Sequence, residues 1–336
     1  MSERTQDKTL PFWIKVPAIA FWFIPFLLIW LLPGLIDFPT WASITISGIA
    51  MGSLIFLMAA GLTIIFGLMD VLNFAHGVFF TIGAFVGWKL FTSLIPNWVT
   101  VPDFWINLSA IILAILASIV VNFTLGILME KVIIRRTYGD HLKQILITMG
   151  VGIIAVELIR IFGSAESEMF ITPVWFSESF VVGNVLILRY QVFSILMGLL
   201  CFLLIQWFLS RTKVGLIVRA GVENPDMIQA MGYNLKKVFT GVFATGAALA
   251  GIGGLIWAGF EENLNAGMGD KNLIFAFVVV IVGGLGSIKG SIIGAIMVGL
   301  FFNYVAFFIP QMAAGSLILL MCIILMLKPS GLFPQK

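Results

Sequence analysis

Polar side chains that could do chemistry are few in this chain, and three of them lie close together between two long apolar runs. Asp70, Asn73 and His76 are spaced three residues apart in a stretch that contains no Lys or Arg. On a helix this spacing places them on one face, and polar groups at membrane depth are tolerated where they line a cavity or are buried in protein. Two interpretations remain open: a segment that borders a solute pathway, or a turn in which Asp70 and Asn73 hydrogen-bond their own backbone.

Other polar groups inside apolar runs are further candidates. Glu157 and Arg160 lie one turn apart, and ionisable residues inside a membrane span are functional candidates by default. Their spacing also lets the two charges neutralise each other and reach the membrane surface. Asn303 is a single polar residue in a later run, where it is either a helix-packing contact or part of a pathway lining. The two histidines and two cysteines lack metal-ligand spacing, so neither a metal site nor a membrane-embedded enzyme is predicted.

A glycine-rich stretch between two later apolar runs is a candidate helix break. It contains Gly283, Gly284, Gly286 and Ser287, with Lys289 after them. A phosphate-binding loop is rejected, because the order here is Lys-Gly-Ser and that motif requires a preceding strand and Gly-Lys before Ser or Thr. The stretch instead predicts a flexible hairpin that joins two membrane spans.

The polar interval 211–237 contains a very short helix with both ends marked. A cap, a proline at the first helical position, an acidic first turn and a glycine stop are supplied by Asn224, Pro225, Asp226 and Gly232. Met227, Ile228 and Met231 are predicted to share one face. Two turns of helix are far shorter than the roughly 12 to 15 residues that an isolated helix needs in water. The apolar face must therefore dock, either into a groove on another protein or onto lipid headgroups.

The elements that position these residues are membrane helices. The 336 residues are 60% apolar and 10% charged, with a mean hydropathy of +1.11, whereas soluble domains carry about 25% charged residues. We predict an all-α polytopic bundle that forms a single transmembrane domain, 1–336, and does not bind nucleic acid. Ten spans are predicted at about 16–36, 43–66, 77–95, 105–129, 144–163, 190–210, 238–260, 272–286, 291–309 and 314–327. The run 272–286 is short and is a candidate re-entrant segment.

Lys and Arg sort to one side of this ten-span arrangement. The loops after spans four, six, eight and ten carry basic residues, whereas the intervening loops are poor in them. Under the positive-inside rule the basic loops are cytoplasmic, which places both termini and the interval 211–237 in the cytoplasm. The run 16–36 has no cleavage pattern after it, so we interpret it as a retained first span and not as a signal peptide.

Glycines cluster within the predicted spans. Gly48 and Gly52, like Gly83 and Gly87, have the four-residue spacing that lets helix backbones approach closely, so a tight bundle is predicted. Ten spans also divide into two halves of five, and an odd number of spans in each half gives an inverted repeat. The sequence offers only faint support for such a repeat and leaves it open.

Four motifs occur in a fixed order along the chain. They run from Gly61 to Gly77, from Arg219 to Gly232, from Gly283 to Gly290 and from Lys328 to Phe333. Together they resemble the branched-chain amino acid permease subunits of bacterial ATP-binding-cassette importers, from about residue 43 to the end. The resemblance implies a bacterial inner-membrane protein that pairs with a second, related permease, two cytoplasmic ATPase subunits and a periplasmic binding protein. The implied cargo is branched-chain or other hydrophobic amino acids, amides or urea.

The resemblance also assigns roles to residues. It makes Glu223 to Gly232, with Arg219 before them, the coupling helix that fits a cleft in the ATPase. It places the segment from Asn73 to His76 near the solute pathway. ATP and Mg²⁺ belong to the partner subunits in this family, so the chain itself is expected to bind no cofactor and to perform no catalysis. The alternative is an ion-coupled secondary transporter, which requires paired carboxylates inside the membrane, and Glu157 is the one candidate.

Overall fold

The structure is a computed structural model, and it describes residues 36–164, 166–223 and 225–333. The side chains of residues 222, 223, 225, 226 and 229 lie outside that description. The predicted first span, 16–36, also falls outside it except for its last residue.

Helices dominate the described chain, which confirms the predicted all-α membrane bundle. In order they are α1 Phe38–Met69, α2 His76–Lys89, α3 Pro96–Thr100, α4 Phe104–Val132, α5 His141–Phe162, α6 Val174–Ser177, α7 Arg189–Arg211, α8 Lys213–Glu223, α9 Pro225–Ala230, α10 Leu235–Glu261, α11 Met268–Gly283, α12 Ile288–Phe308 and α13 Ala313–Leu327. A π-helical turn, Leu90–Leu94, extends α2, and 3-10 turns lie at Ile134–Arg136 and Pro310–Met312. Two small antiparallel sheets pair β1 Glu168–Met169 with β4 Asn263–Leu264, and β2 Ser179–Val182 with β3 Val185–Leu188.

Eight of the described helical segments are long and apolar enough to cross a membrane, and each matches a predicted span. The predicted span at 272–286 corresponds to α11, which has 16 residues. A helix of this length extends about 24 Å, whereas the hydrocarbon core is about 30 Å thick. The total of ten spans stays a prediction, because the first of them lies outside the described residues.

Helices α1 and α10 form the centre of the bundle. Both are apolar on all sides, which is typical of a helix surrounded by other helices, and both are buried along most of their length. Helix α1 packs closely along α12, since a Cβ on Gly52 would lie only 2.6 Å from the carbonyl oxygen of Ala295. The close helix packing predicted from the glycine spacing is therefore confirmed at this contact.

The two central helices run in opposite directions where they touch. Gly61 of α1 lies against Gly246 of α10, while Leu57, one turn earlier on α1, lies against Gly253, two turns later on α10. An antiparallel crossing of two long buried helices is what two inverted halves require.

The ends of these two helices also correspond. Asp70 follows α1 with φ 51°, and Glu262 follows α10 with φ 52°. Left-handed backbone is uncommon at residues other than glycine, and these are the two such positions in the described chain. Each is followed by a non-helical stretch before the next helix begins, at His76 and at Met268.

The helices that follow begin against each other. A Cβ on Gly77 would lie 2.6 Å from the carbonyl oxygen of Gly269, and a Cβ on Gly269 would overlap the carbonyl of Gly77. Each glycine is the second residue of its helix, and equivalent positions touch each other where a twofold axis relates two halves. The inverted repeat that the sequence left open is therefore present, with α1–α2 and α10–α11 as its corresponding parts.

The outermost helices expose long apolar side chains. On α5 and α7 these include Leu146, Ile153, Phe162, Leu196, Leu203 and Trp207. Apolar surface of this extent marks contact with a membrane or with another protein. With the eight candidate spans, it identifies a multi-pass membrane protein.

Candidate functional site

The segment from Asp70 to Ala75 is irregular backbone enclosed by helices. The N–H of Leu72 donates to Oε1 of Gln144 at 3.3 Å, and the N–H of Phe74 donates to Oγ1 of Thr148 at 3.1 Å. Gln144 and Thr148 are buried on α5, and they supply the acceptors that a continuous helix would otherwise provide. A buried amide without such a partner costs about 1–3 kcal/mol, so these two side chains make the break possible.

The prediction that Asp70, Asn73 and His76 share a helical face is wrong, because the residues between them are not helical. Asp70 is exposed, and its carboxylate lies 3.4 Å from Nε2 of His141. Asn73 is fully buried, and its Oδ1 accepts a hydrogen bond from the N–H of Ala75 at 3.1 Å. The turn interpretation therefore describes Asn73 correctly, whereas Asp70 has a different partner.

His76 is fully buried at the first position of α2, beside the middle of α1. Its Nε2 donates to the carbonyl oxygen of Met58 at 3.2 Å, so Nδ1 is left as an acceptor. Neither that Nδ1 nor Nδ2 of Asn73 has a hydrogen-bond partner among the described residues. An unpaired acceptor and an unpaired donor beside the positive end of a helix can hold a polar solute group. A pathway role for Asn73 and His76 stays a prediction.

The corresponding segment after α10 repeats the same pattern of residues. Asp70-x-Leu72-Asn73 followed by Gly77 matches Glu262-x-Leu264-Asn265 followed by Gly269. The N–H that opens each helix donates to the carbonyl of the asparagine, at 3.3 Å for His76 and 3.2 Å for Met268. This acidic-x-Leu-Asn-x-x-x-Gly repeat was present in the sequence, and it was the missed sign of the inverted halves.

The predicted glycine-rich break is a tight turn between α11 and α12. Gly284 and Gly286 have φ of 102° and 80°, a region that favours glycine. Ser287 caps α12, since its Oγ accepts a hydrogen bond from the N–H of Gly290 at 3.1 Å. The predicted connection between two helices is present, and its flexibility stays a prediction.

The last described residues form backbone hydrogen bonds with the residues just before this turn. The N–H of Leu332 donates to the carbonyl of Val282 at 2.9 Å, and the N–H of Phe333 donates to that of Gly283 at 3.0 Å. The turn also touches α1, because a Cβ on Gly67 would overlap the backbone of Gly286. The glycine turn therefore lies against the last residues of α1, just before the other break begins.

The short helix α9 and the residue that follows it carry two exposed methionines. Met227 and Met231 are 59% and 61% exposed, whereas Ile228 is only 5% exposed. The prediction that the three share one face is therefore wrong, because Ile228 packs against its own chain, whereas the side chains of Met227 and Met231 are exposed. Gly232 has φ 84° and the N–H of Tyr233 donates to the carbonyl of Ile228 at 3.2 Å, which confirms the predicted left-handed stop.

The other predicted coupling residues are placed only in part. Arg219 is exposed on α8. Glu223, Pro225 and Asp226 belong to helices, but their side chains lie outside the description, and Asn224 lies outside it altogether. The capping role of Asn224 and the helix-dipole role of Asp226 stay predictions.

A buried charge network joins α4 to the start of α10. Glu130 is fully buried, and Arg135 donates to its two oxygens at 3.1 and 2.9 Å. The hydroxyls of Tyr138 and Thr240 donate to the same carboxylate at 2.8 and 2.7 Å. Burial, together with the hydrogen bond to Glu130, raises the pKa of Tyr138, so this hydroxyl stays a donor. Sequence analysis missed Glu130, although a lone acid beside a run of basic residues was a visible sign.

The remaining polar candidates make local contacts. Nη1 of Arg160 lies 2.6 Å from Oε1 of Glu157, with both side chains about half exposed. Nδ2 of Asn303 donates to the carbonyl of Gly299 at 2.9 Å and lies 3.1 Å from the sulfur of Met51 on α1. This is the packing contact that one interpretation expected, while pathway lining by Asn303 stays a prediction. Among the described residues, no group of three His, Cys, Asp or Glu side chains could hold a metal ion.

A match to a protein-family model decides what kind of protein carries these features. The model for the permease component of branched-chain amino acid transport systems matches residues 44–327. The chain belongs to this family. The resemblance drawn from the four motifs is thereby confirmed.

Individual relatives agree with the family match. The high-affinity branched-chain amino acid transport system permease protein BraD of Pseudomonas aeruginosa is 28% identical over 263 residues, which cover 76% of this chain and 82% of BraD. The probable branched-chain amino acid transport permease protein LivH of Methanocaldococcus jannaschii is 29% identical over 268 residues, or 77% of this chain and 79% of that protein. The probable permease protein LivM of the same organism is 29% identical over 168 residues, or 44% and 48% of the two chains. No solved structure matches the permease significantly.

Proposed function

We propose that this permease is the membrane subunit of an ATP-binding-cassette importer. Its cargo is branched-chain or related hydrophobic amino acids, or amides or urea, which it carries into the cytoplasm. The observation that carries the proposal is α9, a helix too short to be stable alone. It is held to its own chain by Ile228 and leaves Met227 and Met231 exposed. Methionine-rich surfaces of this kind suit a protein groove.

Transport is driven by two separate cytoplasmic ATPase subunits that bind ATP and Mg²⁺. The ATPases change the permease only through contacts that differ between their open and closed states, and α9 provides that contact. The chain passes from α9 through Gly232 into Leu235, the first residue of α10. A displacement of the short helix therefore reaches a central helix of the bundle directly.

A second permease and a periplasmic binding protein complete the importer. The second permease is a relative of this chain, which is supported by its similarity to both LivH and LivM of one organism. The assembly lies in the bacterial inner membrane. The positive-inside rule places both termini and the interval 211–237 on the cytoplasmic side, where the ATPases are.

The proposal is tested by placing a charge on the exposed methionine face. In the assembled importer, Met231→Asp should weaken ATPase binding about 30-fold, the effect of losing a contact worth about 2 kcal/mol. ATP-driven uptake into vesicles should fall with it. Met312→Asp is the matched control, because Met312 is 59% exposed and Met231 is 61% exposed, but Met312 lies in the turn between α12 and α13. It should leave ATPase binding unchanged.

Normal ATP-driven uptake by Met231→Asp would contradict the docking of α9. A second measurement separates the importer from the ion-coupled alternative. Uptake that survives ATP depletion and stops when the proton gradient is dissipated would instead indicate a secondary transporter.

A further inference from the structure

An apolar crevice of about 520 Å³ opens between five helices. Side chains from α1, α4, α7, α8 and α10 form its walls, among them Ile64, Leu68, Phe123, Ile205, Val218 and Leu249. Its polar lining residues are Lys237 and Thr245, both on α10. The volume falls within the roughly 300–1,000 Å³ of ordinary ligand sites, and the walls suit a hydrocarbon chain.

A basic pocket of about 510 Å³ adjoins this crevice. It is lined by four cations, Lys131, Arg135, Lys236 and Lys237, together with Asn234 and Thr240. Lys237 and Gly241 line both spaces, so the apolar crevice and the basic pocket meet at the first turns of α10. An apolar space thus opens beside a positively charged one at the end of a membrane helix.

The positive charge of this pocket is largely unbalanced. Lys131, Lys236 and Lys237 are exposed, and none of them forms an ion pair with a described side chain. Arg135 is held in place, because its Nε and Nη2 donate to Glu130 and Nη2 also donates to Thr240. A guanidinium has five N–H donors, so Nη1 remains available to an anion in the pocket.

We propose that the crevice and the basic pocket together bind one anionic phospholipid. Its acyl chain lies in the crevice, and its phosphate is held by Arg135, Lys131 and Lys237. Basic pockets between membrane helices on the cytoplasmic side are typical headgroup sites, and an arginine fixed by a carboxylate is pre-organised for phosphate. The assignment requires only that these helices span a membrane, so it is independent of the proposed transport reaction.

Charge and shape favour this ligand over the alternatives. A zwitterionic lipid would bring its own ammonium group toward four cations, which is unfavourable. Free phosphate would occupy the pocket and leave the crevice unused. An acidic surface of the ATPase could reach the basic pocket, since Asn234 follows α9 closely, but it offers nothing for the apolar walls.

The test is native mass spectrometry of the purified full-length chain with added phosphatidylglycerol or phosphatidylcholine. The wild-type chain should retain one phosphatidylglycerol in preference to phosphatidylcholine. The double variant Lys131→Gln, Lys237→Gln should lose about fivefold in affinity for each lysine. Lys289→Gln is the control, because Lys289 is an exposed lysine of a different predicted cytoplasmic loop, and it should bind the lipid normally.

A second variant tests the acyl chain separately from the phosphate. A Cβ on Gly241 would meet no atom within 4 Å, and Gly241 lines both spaces, so the leucine of Gly241→Leu should extend into the shared opening. It also favours the helix, and a midpoint of thermal unfolding no lower than that of the wild-type chain verifies the fold. We expect it to reduce phosphatidylglycerol binding at least as much as the double lysine variant.

Four results would overturn the proposal. Equal retention of the two lipids would show that the basic pocket does not recognise the headgroup. Normal retention of phosphatidylglycerol by Gly241→Leu would show that the crevice does not hold the acyl chain. Displacement of the bound lipid by millimolar inorganic phosphate alone would show that the pocket binds phosphate without a tail. If the lysine variants fail to bind the ATPase and bind lipid normally, the pocket belongs to the protein partner.

Discussion

The segments Asp70–Ala75 and Glu262–Gly267 follow the same backbone course at corresponding places, yet they are held by different means. In the first, the buried side chains of Gln144 and Thr148 accept hydrogen bonds from the backbone N–H groups of Leu72 and Phe74. In the second, β4 pairs with β1, and the carbonyl of Glu262 accepts a hydrogen bond from the N–H of Phe170 at 3.2 Å. A non-helical connection of this kind can therefore be stabilised either by polar side chains of a neighbouring helix or by strand pairing.

The two segments also differ in the polarity of the residue that opens the next helix. His76 leaves an unpaired acceptor in the interior, whereas Met268 fills the corresponding place with an apolar side chain that is 2% exposed. The repeat gives both halves a similar backbone, and the exchange of methionine for histidine makes the first segment polar. The solute-binding role predicted for the first segment rests on its polar residues, and the second segment has no histidine at the corresponding place.

The largest expected effect comes from breaking the contact where the two halves meet. Gly77→Ala would place a methyl group 2.6 Å from the carbonyl oxygen of Gly269, so the helices must separate, and we expect a loss of about 3 kcal/mol in the free energy of unfolding. Gly150→Ala is the matched control, because a Cβ there meets nothing within 4 Å. It should stabilise α5 by about 0.5–1 kcal/mol. Denaturant titration in detergent checks both, and equal stability of the two variants would refute the reciprocal contact.

A smaller effect is expected from removing one acceptor of the first segment. Thr148→Val should cost about 1–3 kcal/mol, because the amide of Phe74 loses its partner, and that amide should exchange its hydrogen faster. Thr124→Val is the control: its hydroxyl donates to the carbonyl of Val120 at 2.7 Å, as that of Thr148 donates to Gln144 at 2.7 Å, but it accepts no amide. Hydrogen exchange by mass spectrometry would show slow exchange at Phe74 in both variants if the bond were unimportant.

Making the two halves alike should change function more than stability. His76→Met places the residue of the second half in the first. It removes the unpaired Nδ1 acceptor but also the hydrogen bond from Nε2 to the carbonyl of Met58, so we expect stability to change by no more than about 1 kcal/mol. Uptake by the assembled importer should fall. The reverse exchange, Met268→His, should destabilise the protein by introducing a buried polar group. Normal uptake by a stable His76→Met variant would show that His76 has no pathway role.

The smallest effect is expected at the exposed start of the first segment. Asp70→Asn breaks a contact with His141 in which the two side chains are 72% and 51% exposed, so stability should change by less than about 1 kcal/mol. Glu262→Gln at the corresponding place should behave in the same way. A thermal shift assay at low and high salt checks both, and a large loss for Asp70→Asn alone would mean that the segment depends on this pair.

Length and hydropathy were sufficient to predict the fold class, because a membrane span is a property of about twenty consecutive residues. The irregular course of 70–75 was not predictable in this way. The three-residue spacing of Asp70, Asn73 and His76 fits a helix equally well, and the acceptors that favour the break lie about seventy residues further along. The same pattern of acid, leucine, asparagine and glycine after α10 was the sequence feature that pointed to this non-helical course.

The short helix shows a second limit of sequence analysis. Met227 and Ile228 were predicted to share one apolar face. A helix of six residues, however, can bury only a narrow strip of its surface against its neighbours. Which side chain is buried depends on where α8 and α10 lie. The contact between Glu130 and Thr240 illustrates the same point. These two residues are 110 positions apart, and the basic residues beside Glu130 give no sign of this distant partner.

Glu130 has a consequence for how the molecule moves. Its buried carboxylate pairs with Arg135, directly after α4, and also accepts a hydrogen bond from Thr240 on α10. Pulling α4 and α10 apart would leave that ion pair in place but remove one donor from a buried charge, at a cost of about 1.5–3 kcal/mol. These two helices are therefore expected to travel as one rigid body through any working cycle. Rearrangement must then occur along the other faces of α10.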